Sequence, residues 1–133
     1  MLFADGTSWT GSSGEAQISP SRRVTGATPF VVGSISKTFV AATILQLAEE
    51  GELALHDPLS RWLPDYPRAS EIRIRHLLSH GSGVFNYFEH PAYNRSVFGE
   101  PRRTWTPNEI LSTFRGAPYF EPGAGYHLSL IHI

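Results

Sequence analysis

The chain has 133 residues, a length that predicts one domain with a real hydrophobic core. Hydrophobic residues make up 41% and charged residues 17% of it, and the formal net charge is -1, so nucleic acid or an anionic membrane is not expected as a partner. The sequence has no cysteine, which excludes a disulfide scaffold, a thiolate metal site and a cysteine nucleophile.

Residues 1–30 alternate short apolar pieces with Gly, Ser and Thr. The Asp5-Gly6 pair is a hairpin turn signal, so we predict two short antiparallel strands around it and then a loop to Pro29. No stretch is apolar for long enough to span a membrane, and Asp5 interrupts any signal-peptide core. The sequence therefore predicts no membrane span and leaves the localisation open.

The next stretch, "SISKTFVAATILQLAEEG", predicts a helix from Ser34 to about Glu50. It is rich in Ala, Leu and Ile, it has no internal Gly or Pro, and Gly51 can cap its C-terminus. Apolar residues lie on nearly every side of this helix. We therefore expect a buried, central helix rather than a surface one.

Two shorter helices are predicted from their capping residues. Asp57 can cap a helix that begins at Pro58, and Thr106 and Glu109 have the spacing of a capping box. Between them, "EIRIRHLLSHGSG" predicts a brief extended piece, one helical turn and a Gly-rich loop. Residues 83–104 show no clear period, which favours an ordered loop, and "FEPGAGY" contains a Pro-Gly turn.

The residues with the clearest chemical potential are Ser34 and Lys37, the latter being the only lysine of the sequence. At i and i+3 on one helix, their side chains share a face. A serine hydroxyl needs a neighbouring base to become a nucleophile, and lysine can be that base where a helix N-terminus or dry surroundings disfavour its charge. Phe30, Ile35 and Phe39 are candidates for such surroundings, and arginine cannot replace the lysine as a base.

Three stretches carry a resemblance to a known family: "TPFVVGSISKTFVAATILQLAEEGELALHDPLSRWLP", "IRIRHLLSHGSGV" and "FEPGAGY". In their order and approximate spacing the chain resembles the serine β-lactamase and penicillin-binding-protein superfamily, in particular its class C-like branch of β-lactamases, D,D-peptidases and esterases. The resemblance extends to His127. It implies an α/β (α+β) fold of the β-lactamase/transpeptidase type, in which helices pack an antiparallel sheet and a central buried helix carries the nucleophile, with only the N-terminal part present.

The same resemblance implies roles for the two residues. Ser34 would be acylated by an ester, a β-lactam or a D-Ala-D-Ala peptide, and Lys37 would be its partner in proton transfer. A small-molecule or peptide acyl substrate is implied, whereas a cofactor or a metal is not. The alternative is a non-catalytic protein of the same fold that binds peptidoglycan-like ligands or a partner.

The chain departs from the family after the Pro-Gly turn, where the family continues as aromatic-x-Tyr-x-Asn. Aligned on Pro122 and Gly123, the aromatic position is Tyr126, but Leu128 and Leu130 stand where the tyrosine and the asparagine belong. The third motif, on a sheet strand that also supplies an oxyanion-hole N–H, would lie beyond residue 133. We therefore expect the chain as printed to have little or no activity.

Residues 128–133, "LSLIHI", are what CTG TCT CTT ATA CAC ATC encodes, which resembles a transposase mosaic-end sequence used in sequencing libraries. We interpret residues 1–127 as a partial β-lactamase-related domain, truncated at both ends, and residues 128–133 as an adapter-encoded tail. A natural divergent C-terminus is the alternative. An independent read of the gene past codon 127 distinguishes the two.

Histidines and aromatic residues are lesser candidates. His76 and His80 have the i,i+4 spacing of a helical metal pair, with His90 nearby, but the glutamate of the metalloprotease motif is missing, so hydrogen bonding in loops is the favoured interpretation. Five aromatic residues are candidates either for lining an acyl pocket or for ordinary packing: Tyr87, Phe88, Tyr93, Phe98 and Trp105.

Overall fold

The computed structural model describes residues 4–128 of the chain. The chain divides into two compact units, Met1–Gly33 and Ser34–Ile133. Among the described residues, none of the helices has the length and apolar character needed to cross a bilayer.

The first unit contains an antiparallel pair of strands, β1 at Glu15–Gln17 and β2 at Arg22–Arg23. The predicted turn at Asp5-Gly6 is present, as a turn at residues 4–5 followed by a bend at Gly6. The β1–β2 pair is a separate one later in the chain, which residues 18–21 join. The strand expected before the Asp5-Gly6 turn includes residues 1–3, which lie outside the described part.

Asp5 stabilises this turn through its side chain. Its carboxylate accepts a hydrogen bond from the Thr7 backbone N–H at 2.9 Å and another from the Thr7 hydroxyl at 2.7 Å. These two bonds hold the pKa of Asp5 below its usual value. The Asp-Gly pair thus marks a turn correctly, and the pairing predicted across it involves residues outside the described part.

The second unit holds the helices and the core. Single turns of 3-10 helix lie at Gly33–Ile35, at its N-terminal edge, and at Leu59–Arg61 and Tyr87–Glu89. The α-helices are α1 at Ser36–Glu49, α2 at Ile74–Leu78, α3 at Tyr93–Gly99 and α4 at Pro107–Thr113.

Helix α1 confirms the longest predicted helix to within two residues at its start. It ends where glycine allows the chain to turn, since Gly51 has a φ of +79° and its N–H bonds to the Ala48 carbonyl at 3.2 Å. The prediction that this helix is buried is wrong for the described chain, in which no residue of α1 is buried. Phe39 is 68% exposed and Leu45 is 50% exposed.

The reason is that neighbouring elements cover only one side of α1. That side faces an apolar groove of about 380 Å³. The groove's other walls come from α2, α4 and the 53–63 segment, whereas Phe39 and Leu45, on other sides of α1, are exposed. The apolar residues of α1 that line the groove are Val40, Ile44 and Leu47.

The core lies among the short elements that follow α1. Its buried residues come from segments far apart in sequence, and they pack as one cluster: Leu59, Ala69, Ile72, Val84, Tyr87 and Phe114. Two backbone bonds, Leu59 N–H to the Ile72 carbonyl at 2.8 Å and Ile74 N–H to the Asp57 carbonyl at 3.2 Å, draw the 57–59 and 72–74 segments together. The extended piece expected before α2 is therefore present as a backbone bridge.

Asp57 does not cap the turn that follows it, in contrast to the prediction. Its carboxylate accepts the Ala54 N–H at 3.0 Å and pairs with Arg61 at 2.7 Å.

Helix α3 was not predicted, because residues 83–104 were expected to form a loop. The helix has no side-chain N-cap, so the start signal that sequence patterns rely on is missing there.

Helix α4 confirms the predicted capping box. The Thr106 hydroxyl accepts the Glu109 N–H at 3.2 Å, and the Glu109 carboxylate accepts the Thr106 N–H at 2.8 Å, with Pro107 in the first turn. These bonds hold the pKa of Glu109 below its usual value.

Replacing Thr106 with alanine is expected to destabilise the protein by about 1 kcal/mol, because an N-cap hydroxyl is lost and one helix N–H is left without its partner. Urea unfolding measures this change. Thr113→Ala, at the exposed other end of the same helix, is the matched control. Equal stability of the two variants would contradict the capping role.

Candidate active site

Ser34 and Lys37 occupy the start of α1. Ser34 lies in the 3-10 turn just before the helix, where its side chain is exposed, and Lys37 lies in the first helical turn, where it is half-buried. The Lys37 ammonium Nζ donates a hydrogen bond to Ser34 Oγ at 3.2 Å. The expected contact is therefore present, because residues three apart in a helical turn share a face.

This contact has the geometry of a nucleophile and a base. A distance of 3.2 Å is within hydrogen-bond reach, and contacts in unliganded sites are often loose. A neutral amine at this distance is able to accept the proton of a hydroxyl group. The pair thus meets the geometric requirement for activating Ser34.

The loop after α2 brings a histidine close to this pair. Burial lowers the pKa of His80, and the positive charge of Lys37 lowers it further, so the two side chains are within electrostatic range. His80 has a φ of +56°, an uncommon conformation for a residue other than glycine. The neighbouring Gly81 N–H bonds to the His76 carbonyl at 2.7 Å, which tightens this turn.

The dry surroundings expected for Lys37 are not provided by the three predicted neighbours. Within the described part of the chain, Phe30 is 71% exposed, Ile35 is 60% exposed and Phe39 is 68% exposed. For Phe39 the reason is the one given for α1, since this residue lies on an exposed side of that helix.

The segment after the Pro-Gly turn lies against the His80 loop. Gly123 N–H bonds to the Gly81 carbonyl at 2.8 Å and His127 N–H bonds to the His80 carbonyl at 3.1 Å. The rings of Tyr126 and His80 meet edge to face at 5.8 Å. Position 128, where the family motif has a tyrosine, is an exposed leucine, and position 130 lies outside the described residues.

Two of the candidate histidines use a ring nitrogen for the backbone. The Nδ1 atom of His76 accepts the Arg73 N–H at 3.2 Å, and the Nδ1 atom of His90 accepts the Ala92 N–H at 3.2 Å. Within residues 4–128 there is no group of three or more His, Cys, Asp or Glu side chains placed to hold a metal ion. The geometry therefore favours the loop hydrogen bonding that the sequence suggested.

The five candidate aromatic residues divide into two groups. Tyr87 is buried in the core, and Tyr93 and Trp105 pack against it. Phe88 and Phe98 are 51% and 77% exposed. Burial raises the pKa of Tyr87 to about 12. Packing in the core thus accounts for Tyr87, Tyr93 and Trp105.

Sequence reasoning missed a polar cluster around Glu89. The Tyr119 hydroxyl donates to Glu89 Oε2 at 2.7 Å, Asn86 Nδ2 donates to Glu89 Oε1 at 3.1 Å, and His127 Nε2 lies 3.5 Å from the same Oε1. The bond from Tyr119, helped by Asn86 and the charge of His127, holds the pKa of Glu89 below its usual value. Burial raises the pKa of Tyr119. No spacing rule joins residues 30 or more positions apart, so the sequence carried no signal for this cluster.

Curated relatives share much of this chain. It is 36% identical over 115 residues to the esterase EstB of Burkholderia gladioli and 34% identical over 122 residues to penicillin-binding protein 4* of Bacillus subtilis. These matches cover 77% and 89% of this chain, but 29% and 26% of the two relatives. The chain thus spans less than a third of the length of either relative.

A solved structure shows the same fold. The D-stereospecific amidohydrolase from a Streptomyces species superposes with a TM-score of 0.70 at 37% identity, over 75% of this chain and 33% of that one. The described residues thus have the fold of an N-terminal part of a β-lactamase/transpeptidase-type protein. The model of the family described as "Beta-lactamase" matches residues 1–126. With nearly all of its length matched in this way, the chain belongs to the beta-lactamase family, a superfamily of serine hydrolases.

Proposed function

We propose that the protein is a serine hydrolase that works through an acyl-enzyme, with Ser34 as the nucleophile and Lys37 as the group that takes its proton. The observation that carries this proposal is the 3.2 Å contact between Lys37 Nζ and Ser34 Oγ at the start of α1. The names of the relatives, an esterase, a penicillin-binding protein and an amidohydrolase, support acyl transfer as the reaction class.

The proposed reaction has two steps. Ser34 Oγ forms a bond to the carbonyl carbon of an ester, a β-lactam or a D-Ala-D-Ala peptide while its proton passes to Lys37 Nζ. The bond from that carbon to the alcohol or amine breaks, and the leaving group takes up the proton that Lys37 received, which leaves the Lys37 amine neutral again. Water then adds to the acyl carbon, which releases the acid and regenerates the serine.

The number of oxyanion-hole donors affects the rate at which residues 1–133 alone would hydrolyse a substrate. In the family that the sequence resembles, one oxyanion-hole N–H comes from a later strand, and loss of a single such donor costs about 10²–10³ in rate. The leucine at position 128 replaces the proton-shuttling tyrosine of that family. We therefore propose that residues 1–133, expressed as printed, hydrolyse substrate slowly or not at all.

Active-site labelling tests the proposed nucleophile. In the protein expressed from its complete gene, a fluorophosphonate probe is expected to label the parent, and Ser34→Ala should abolish labelling because the attacking oxygen is gone. Ser112→Ala, which removes an exposed hydroxyl on α4, is the control and should label like the parent. Labelling that survives in Ser34→Ala would refute the assignment.

The second candidate is a non-catalytic protein of the same fold that binds a peptidoglycan-like ligand or a partner. The leucine at position 128 favours it, provided that this residue is native. A gene read with leucine codons at 128 and 130, together with an unlabelled parent, would support this candidate. A read with Tyr-Ser-Asn or a close variant there would support the hydrolase.

A further inference from the structure

The polar cluster at Glu89 joins three segments that are separate in sequence. Glu89 ends the 3-10 turn at Tyr87–Glu89 and Asn86 caps its start, Tyr119 precedes the Pro-Gly turn, and His127 follows it. The Asn86 backbone N–H donates to the Tyr119 hydroxyl oxygen at 3.1 Å, and that hydroxyl donates to Glu89 Oε2 at 2.7 Å. Since Asn86 Nδ2 and His127 both face Oε1, each carboxylate oxygen of Glu89 has at least one donor group in front of it.

Ring stacking holds the same segments in register. The ring of Tyr119 stacks on that of His127 with centroids 3.8 Å apart and planes 13° apart. The ring of Phe85 also stacks on that of Tyr119, with centroids 5.6 Å apart and planes 20° apart. Aromatic pairs stabilise a structure beyond the apolar area that they bury, so stacking and the hydrogen bonds to Glu89 act together on the same side chains.

Each ring nitrogen of His127 lies near an oxygen atom. Nδ1 lies 3.3 Å from the Leu128 carbonyl oxygen, and Nε2 lies 3.5 Å from Glu89 Oε1. A neutral imidazole has one N–H and can donate to only one of these oxygens, whereas the protonated ring can donate to both. The His127 ring therefore lies between the Glu89 carboxylate and the Leu128 carbonyl, in the segment that follows the Pro-Gly turn.

The segment so held is the one that lies against the candidate active site. His127 N–H bonds to the His80 carbonyl at 3.1 Å, and Tyr119 N–H bonds to the Gly83 carbonyl at 2.9 Å. His80 in turn lies within electrostatic range of Lys37. Contacts thus run from Glu89 to the His80 loop, which lies within electrostatic range of Lys37.

From this arrangement we infer that Glu89 is a positioning residue, which, through Tyr119 and His127, fixes the 126–128 segment against the His80 loop beside Lys37. The inference rests on the proposed function, because the position it fixes matters to acylation only if Ser34 is the nucleophile. An exposed ion pair would explain only the contact with His127, whereas the carboxylate of Glu89 also accepts one hydrogen bond at each oxygen, from Tyr119 and from Asn86.

Glu89→Gln tests the inference with little change of shape. A carboxamide has one acceptor oxygen and one donor group, so its amide group would face either the Tyr119 hydroxyl or the donors on the other side. The matched control is Glu100→Gln, because Glu100 is also exposed and pairs with Arg103 at 3.5 Å. Tyr119→Phe, which keeps the ring stack and removes the hydroxyl, is the second variant.

Hydrogen exchange of the protein from its complete gene measures the holding role directly. The His127 amide, which bonds to His80, is expected to exchange about tenfold faster in Glu89→Gln than in the parent, and to be unchanged in Glu100→Gln. Tyr119→Phe should shift exchange in the same direction. Unchanged exchange in both Glu89→Gln and Tyr119→Phe would overturn the inference.

Acylation by the fluorophosphonate probe measures the consequence for Ser34. In Glu89→Gln the limiting rate of labelling is expected to fall by about three- to tenfold while the concentration for half-maximal rate stays the same, because orientation rather than probe binding is altered. A limiting rate equal to that of Glu100→Gln would overturn the link to the reaction. A parent that is not labelled at all would refute the proposed function, and the exchange result would still decide whether Glu89 holds the segment.

Discussion

Acylation of Ser34 is expected to slow by about 10²–10⁴ when Lys37 is replaced by arginine, the usual worth of a positioned general base. Arginine retains the positive charge and much of the apolar stem at the start of α1. It does not give up its proton in a protein, so it cannot accept one from the serine hydroxyl. The expected loss of acylation rate therefore reports the loss of proton transfer, because the charge and much of the packing are retained.

The limiting rate of labelling by the fluorophosphonate probe, in the protein from its complete gene, is the measurement. Arg61→Lys is the matched control, because it makes the reverse exchange in an exposed pair with Asp57, and it should acylate like the parent. The thermal midpoint of Lys37→Arg should stay close to that of the parent. An arginine variant that acylates at the parent rate would show that Lys37 has another role.

The helices that the sequence predicted well are those with local signals. Helix α1 follows from composition and from Gly51, and α4 follows from the reciprocal bonds of Thr106 and Glu109. Both signals lie within a few residues of the element that they define. Helix α3 has no side-chain N-cap, so a rule based on caps could not find it.

The candidate site shows the same division between local and distant information. The contact between Ser34 and Lys37 follows from i,i+3 spacing in one helical turn. The cluster of Glu89, Tyr119 and His127 depends on the path of the chain through two turns, and pattern reasoning on one sequence does not supply that path. Burial of α1 was predicted wrongly for a related reason, since an apolar helix is buried only on the sides where another element packs.

Gly83 is the position where a single methyl group is expected to be most damaging to stability. It has a φ of +70°, which strains any residue with a Cβ, and a Cβ built there would overlap the carbonyl oxygen of Phe120. Because that oxygen is backbone, relief requires the 119–123 segment to move. The Gly83 carbonyl also accepts the Tyr119 N–H at 2.9 Å, so such a movement would break a bond between the two segments.

Gly83→Ala is therefore expected to lower the free energy of unfolding by about 2–5 kcal/mol, from left-handed strain together with overpacking. Urea unfolding of the protein from its complete gene measures this loss. Gly99→Ala is the matched control, since the space around that glycine is open to 4 Å and it lies at the end of α3, where alanine should change stability by less than about 1 kcal/mol and in the stabilising direction. Because the 119–127 segment adjoins the His80 loop, Gly83→Ala should also slow the labelling of Ser34, whereas Gly99→Ala should not. Equal stability of the two alanine variants would mean that the 119–123 segment can move away from residue 83 with little loss of free energy. The close approach at Gly83 would then not be what holds that segment against the His80 loop.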